Sequence, residues 1–385
     1  MRYGKAGRLL GGGLAGTAVL ALSACSGGGV AGLAAADKPV AVTITPATGG
    51  TAVKPDAPVQ VTAGHGKLQQ VTVQPAGGAP AVTGAMDADG TGWKSAGNLK
   101  PDTRYTVTAT AKGDDGKVTT TTSAFSTLKP SVSLAVSDVT PSMPGETVGV
   151  GVPIIVSFDH AVKDRAAVEK ALTVKAEKPV EGAWRWVGNT QVIYRTRTYW
   201  PAHQKVTVSA KLTGVAAGGG AWGVKDITKT IKIGAAHVST VNLRAGRMTV
   251  KSDGKTVRSF QVSGGSGETH EYTTTSGVHL TMEKSDPVTM ESPGRKPGDP
   301  GYYKLEERYA VRISNSGEYV HESDPTAASH GCIHAGTSNA AWFFDFAQRG
   351  DVVKVTGTDR ELPWDNGWGY WQLPFDQWKK GSALT

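Results

Sequence analysis

Ser329-His-Gly-Cys-Ile-His334 leads into Thr337-Ser-Asn-Ala-Ala-Trp-Phe-Phe344 and then Arg349-Gly-Asp-Val-Val-Lys-Val355. The order is a short glycine-bearing loop, the best helix of the chain and a strand. Thr337 or Ser338 is placed to cap the helix, Ala340 to Ala347 form its apolar body, and Gly350 falls where a left-handed C-terminal cap belongs. Cys332 lies between loop and helix, where a thiolate would feel the partial positive charge of the helix N-terminus. Gly331 removes a side chain next to the sulfur and opens the local N–H groups to an oxyanion. His321, His330 and His334 are close in sequence, and a cysteine nucleophile needs a base of this kind.

The rest of the chain sharpens that thiol. Only two cysteines occur in 385 residues, and the other, Cys25, ends Leu22-Ser23-Ala24-Cys25 behind a short apolar run with Arg2, Lys5 and Arg8 before it. This is the layout of a secretory signal, and its ending resembles a bacterial lipobox, in which the cysteine is lipidated after cleavage. Residues 1–25 are thus read as signal and lipobox and 26–37 as a flexible tether, with an ordinary signal peptide as the alternative. An exported protein then keeps one unpaired thiol, either buried and inert or a reactive nucleophile. Structural zinc competes poorly for Cys332, since such a site wants four ligands in spaced pairs and this chain has no second pair. No metal or cofactor is expected. The net charge of +8 suits anionic lipid and wall polymers, while the export signal argues against nucleic acid.

Upstream, 50 Gly, 20 Pro and many short alternating runs favour strands and turns. Runs at Val40–Thr45, Val59–Thr62, Val71–Val73, Tyr105–Ala109 and Val118–Thr122 predict a small β-sandwich over 38–130. Runs at Val132–Val136, Pro153–Phe158, Leu172–Val174, Val192–Tyr194 and Val206–Ser209 predict a second over 131–235, with a helix at Asp164–Leu172. Trp184, Trp186 and Trp200 fit either its core or a carbohydrate-binding face, the core being the commoner use. From 236 to 358 a larger β domain is expected, with strands at Val241–Val250, Thr256–Val262, Gly277–Met282 and Tyr309–Ile313. Residues 359–385 hold Trp364, Trp368, Trp371 and Trp378, an extension expected to pack as a clasp.

The ordered set Tyr319-Val-His321, Ser329-His-Gly-Cys332, Thr337–Phe344 and Arg349–Val355 closely resembles the catalytic segment of L,D-transpeptidases, the cell-wall enzymes with the YkuD domain. The whole chain is similar to actinobacterial members: lipoprotein signal, two immunoglobulin-like modules, a catalytic β domain and a Trp-rich extension. The resemblance implies a mainly β protein that forms 3→3 peptidoglycan cross-links through a cysteine thioester and releases D-Ala from tetrapeptide stems. It implies Cys332 as nucleophile and His321 as base, oriented by the backbone carbonyl of Glu322. Ser329, His330 and Gly331 belong to the nucleophile motif, with His330 as an organiser and the Gly331 and Cys332 N–H groups as oxyanion donors. Tyr303, with Tyr302 as competitor, would line the donor site, under a flap running from Met290 to Gly301. His334 and Asn339 complete the implied substrate contacts. His334 stands where the family often has Asn or Arg, and the eleven positions from His321 to Cys332 make a short loop. Partners implied are stem peptides, the outer face of the cell membrane through a lipid on Cys25, and carbapenem-type β-lactams as inhibitors. The two modules are read as spacers, with glycan binding as the alternative.

Overall fold

The computed structural model describes residues 38–385 apart from Pro293, so Cys25 and the tether at 26–37 lie outside the described residues. Strand Arg104–Gly113 shows the principle of the first sandwich: its alternate residues are buried and exposed along almost the whole run. It pairs with Gly66–Pro75 and Val118–Ser126 in one sheet. Strands Ala41–Thr45, Gln60–Gly64, Gly92–Ser95 and Gly84–Met86 form the other. Val59, Val61, Val73 and Val107 are fully buried between them.

The second sandwich sets strands 136–140, 154–158, 191–196 and 182–187 against 147–148, 227–233, 204–210 and 172–176. Helix Arg165–Lys170 is capped by Asp164, whose carboxylate accepts from the Ala167 N–H at 3.0 Å. Trp184, Trp186 and Trp200 are at most 8% exposed and join the core, so they present no carbohydrate face. Two of their ring nitrogens are satisfied inside: Trp186 donates to Glu169 Oε2 at 2.8 Å and Trp200 to Val152 O at 2.9 Å.

The catalytic half has a five-stranded sheet in the order 255–261, 247–252, 237–242, 352–356, 277–280, in which 237–242 and 352–356 run parallel. A smaller sheet orders 284–285, 310–312, 319–321 and 333–334, and a two-stranded flap pairs Val288–Glu291 with Lys304–Glu307. Helix Thr337–Phe346 buries Ala340 and Phe343 against both. Two expectations need correction. Val241–Val250 is not one strand: the chain turns at Leu243–Gly246, where Gly246 has φ +60°, and returns as Arg247–Ser252. Nor is the helix capped as expected. Its N-cap is Gly336 without a side-chain bond, because Thr337 Oγ1 instead donates to Glu322 Oε1 at 2.6 Å. Its last residue is Phe346, and Gly350 serves another purpose, since a Cβ there would come within 2.6 Å of Val152 in the second sandwich.

The Trp-rich extension packs as a clasp, but mainly on the second sandwich. Trp378 is fully buried there and donates from Nε1 to Ala183 O, while Trp371 donates to Gly151 O, both at 2.9 Å. Arg195 lies over the rings of Trp371, Phe375 and Trp378 and donates to Tyr370 O and Leu373 O. Gln372 Nε2 reaches Val278 O of the catalytic sheet at 2.7 Å. One continuous core therefore joins the second sandwich, Leu280 and Val352 of the catalytic half, and the tail.

Candidate active site

The site follows from strand register. Tyr319–His321 runs parallel to Ile333–His334, with Val320 opposite Ile333 and His321 opposite His334. Val320 and Ile333 are fully buried in the core, so period-two alternation turns His321, His334, Tyr319 and Cys332 to the other face. That face lines a cleft of about 370 Å³, roofed by Met290, Tyr303 and Glu307 of the flap.

Cys332 is 9% exposed, with Sγ 3.9 Å from Met290 Sδ and its S–H donating to Gly317 O at 3.5 Å. Burial pushes the thiol up to about 12; the Tyr319 N–H pulls the other way, and the carboxylates of Glu318 and Glu307 push further up. The resting nucleophile is therefore a neutral thiol. The helix N-terminus does not hold a thiolate as the sequence suggested, because Ile333 to Gly336 intervene and desolvation is the larger effect.

His321 is 2% exposed and donates from Nδ1 to the Glu322 carbonyl at 2.8 Å, which leaves Nε2 as the bare nitrogen. Burial lowers its pKa, only partly opposed by that carbonyl and the Glu322 charge. A neutral thiol and a neutral imidazole thus share one cleft.

The nucleophile loop is braced from within. Ser329 Oγ donates to Cys332 O at 2.6 Å and accepts from the Gly331 N–H at 3.0 Å. Thr274 Oγ1 donates to Gly331 O at 2.9 Å. Gly331 has φ +127°, a conformation that side chains resist although a Cβ there would meet only ordinary contacts, Glu318 Cγ at 3.9 Å and Glu271 O at 4.0 Å. The Gly331 N–H is thus already engaged, contrary to its expected freedom to meet an oxyanion. Beneath the loop, Glu318 accepts from the Thr275 N–H at 2.6 Å and from its hydroxyl at 2.8 Å, and from Ser316 Oγ at 3.2 Å. This buried carboxylate ties the turn that carries Gly317 to the segment leading into strand Gly277–Leu280.

A family model described as the L,D-transpeptidase catalytic domain matches residues 236–355, and one described as a bacterial Ig domain matches residues 50–216. The chain is 35% identical over 360 residues to L,D-transpeptidase 5 of Mycobacterium tuberculosis, covering 89% of this chain and 77% of that one. It belongs to the L,D-transpeptidase family. L,D-transpeptidase 2 of the same species is 35% identical over 345 residues, covering 87% of this chain and 83% of the relative. Among solved structures, that of the LD transpeptidase LdtMt1 in complex with imipenem is 30% identical, with a TM-score of 0.49, covering 59% of this chain and 100% of that one. The chain is accordingly an enzyme, an L,D-transpeptidase of the acyltransferase class.

In this L,D-transpeptidase the expected site residues divide cleanly. Cys332, His321, His334, Ser329, His330, Gly331, Met290 and Tyr303 all line the cleft. Tyr303 stacks on His330 at 4.3 Å, whereas Tyr302 turns aside and donates to Glu291 Oε1 at 3.0 Å. Asn339 does not reach the cleft; it sits on the helix, where its Oδ1 accepts from Arg258 Nε at 3.0 Å. The sequence reading missed Tyr272, Thr274, Glu307 and Glu318. Tyr272 meets the His330 ring at 4.6 Å, and Thr274 holds the glycine carbonyl. None carries a local motif; each reaches the site through a pairing distant in sequence.

Proposed function

We propose that this L,D-transpeptidase forms 3→3 peptidoglycan cross-links through a thioester on Cys332. The observation that carries the reading is the pair on one face of two adjacent strands: a thiol, and an imidazole whose Nδ1–H is locked on the Glu322 carbonyl. His321 Nε2 takes the thiol proton as sulfur attacks the carbonyl between the third residue of a tetrapeptide stem and its terminal D-Ala. The same proton then passes to the departing D-Ala amine. The Cys332 N–H is the donor we assign to the oxyanion; the Gly331 N–H joins it only by leaving Ser329 Oγ. The side-chain amine of a neighbouring stem resolves the thioester. A strained β-lactam carbonyl presents Cys332 with a similar electrophile, so carbapenem-type compounds are proposed as inhibitors. The signal-like N-terminus ending at Cys25 supports export and lipid anchoring at the outer face of the membrane, with the two sandwiches raising the catalytic half toward the wall.

The test is incubation of the purified protein with a disaccharide-tetrapeptide, followed by mass spectrometry. A dimer that has lost one D-Ala, formed through an acyl adduct on Cys332, is expected. Absence of any adduct on that thiol would sink the reading.

A further inference from the structure

The cleft contains two chemically different groups of side chains. Tyr272, Tyr303 and His330 form an aromatic cluster, while His321 and His334 meet edge to face at 5.0 Å beside Glu307. Glu307 Oε2 lies 3.4 Å from His321 Nδ1, yet that nitrogen donates to the Glu322 carbonyl, so the carboxylate receives no hydrogen bond from it. The other carboxylates of the cleft are occupied. Glu318 accepts from Thr275 and Ser316, Glu291 from Tyr302 with Lys304 nearby, and Glu271 from Arg295. Among the described residues, Glu307 is the cleft carboxylate to which no N–H or O–H donates, and its side chain is only 19% exposed. A half-buried carboxylate beside a catalytic base invites a cation, because leaving it unpaired costs solvation on both sides. His334 is similarly set: its Nδ1 faces Ala327 O at 3.1 Å and Asp324 O at 3.3 Å, leaving Nε2 as its free nitrogen.

We propose that Glu307 and His334 form the acceptor subsite, which recognises the ammonium group of the incoming primary amine and channels its proton away. This rests on the thioester reading above. The amine arrives protonated and pairs with the Glu307 carboxylate. One proton passes to His334 Nε2 and on to solvent, freeing the nitrogen lone pair. That pair attacks the thioester carbonyl; His321 Nε2 takes the second proton as the C–N bond forms. The C–S bond breaks, its electron pair returns to Cys332, and the proton on His321 follows it to restore the thiol. Amide, neutral thiol and neutral imidazoles remain, with one proton released.

The test starts from acyl-enzyme formed on the full chain with a tetrapeptide donor. It is then challenged either with a peptide bearing a protonated side-chain amine or with hydroxylamine, which is neutral at pH 7. Glu307→Gln should lower transfer to the charged amine about tenfold relative to transfer to hydroxylamine, and Glu307→Asp should recover part of that ratio. Equal losses for both acceptors, or no loss with either, would overturn the proposal. If Glu307→Gln does not give a native circular dichroism spectrum, the same ratio is read on a natively folded Glu307→Ala, which also removes the charge: a value equal to wild type overturns it. Failure of the unaltered protein to form any acyl-enzyme is a separate result and removes the thioester reading on which the subsite depends.

Discussion

Replacing Ser329 by Ala removes one oxygen that serves two backbone groups flanking the nucleophile. The hydroxyl donates to Cys332 O at 2.6 Å and accepts from the Gly331 N–H at 3.0 Å, in a residue only 6% exposed. A buried polar group left without a partner costs about 1–3 kcal/mol. Two such groups give about 2–6 kcal/mol, and the cleft lets water reach the loop, so the lower part of that range, about 2–3 kcal/mol, applies. Gly331, at φ +127°, is also held through its carbonyl by Thr274, so the loss is expected to appear as displacement of the thiol rather than as a harmless rearrangement. At about 1.4 kcal/mol per factor of ten, acylation should slow about 30- to 150-fold. The assay is single-turnover formation of the β-lactam or tetrapeptide adduct on Cys332, read by mass, with circular dichroism to confirm the fold. Acylation within about threefold of the unaltered protein, on a natively folded variant, would refute the claim that this hydroxyl positions the nucleophile.

Three further outcomes are expected. Because burial pushes Cys332 up to about 12, alkylation by iodoacetamide at pH 7–8 should be slower in the folded protein than after urea unfolding, and its rate should still be rising at pH 9; a plateau below that pH would show a preformed thiolate. His279, His321 and His334 all have lowered pKa values through burial, so they add stability above the ordinary histidine pKa of 6.5 that is lost as pH falls below it. The urea midpoint of the catalytic half should accordingly drop between pH 7 and 5, and a flat profile would contradict the assigned neutrality. Trp378→Ala should cost about 3–5 kcal/mol, as expected for a fully buried Trp, and limited proteolysis should then cleave the extension first; an unchanged digestion pattern would mean that the clasp does not depend on this ring.

Much of the fold was legible because it is written locally. The alternation in Arg104–Gly113 and the cap at Asp164 each need only a few neighbouring residues to be read. The Val241–Val250 run was misread because its turn is made by Gly246 within an otherwise strand-like stretch. Gly350 looked like a helix cap, but its absent side chain makes room for Val152, a contact no local pattern reports. At the site, the motif around Cys332 pointed to a nucleophile and His321 to its base, whereas Asn339 lay on the wrong side of its helix and Tyr302, just before the flap strand, turned away from the cleft to Glu291.

By itself, then, the sequence determined the strand-rich modules, the single candidate thiol and the family to which its surrounding motif is similar. Tertiary structure alone decided the charge state of that thiol, the engagement of the Gly331 N–H, and which of the cleft carboxylates is left open. Solvation explains the division. Whether a group is charged or paired depends on what distant segments bring against it, and here Met290 and Gly317 reach Cys332, Thr274 reaches Gly331 and Glu307 reaches His321 only once the sheets have closed.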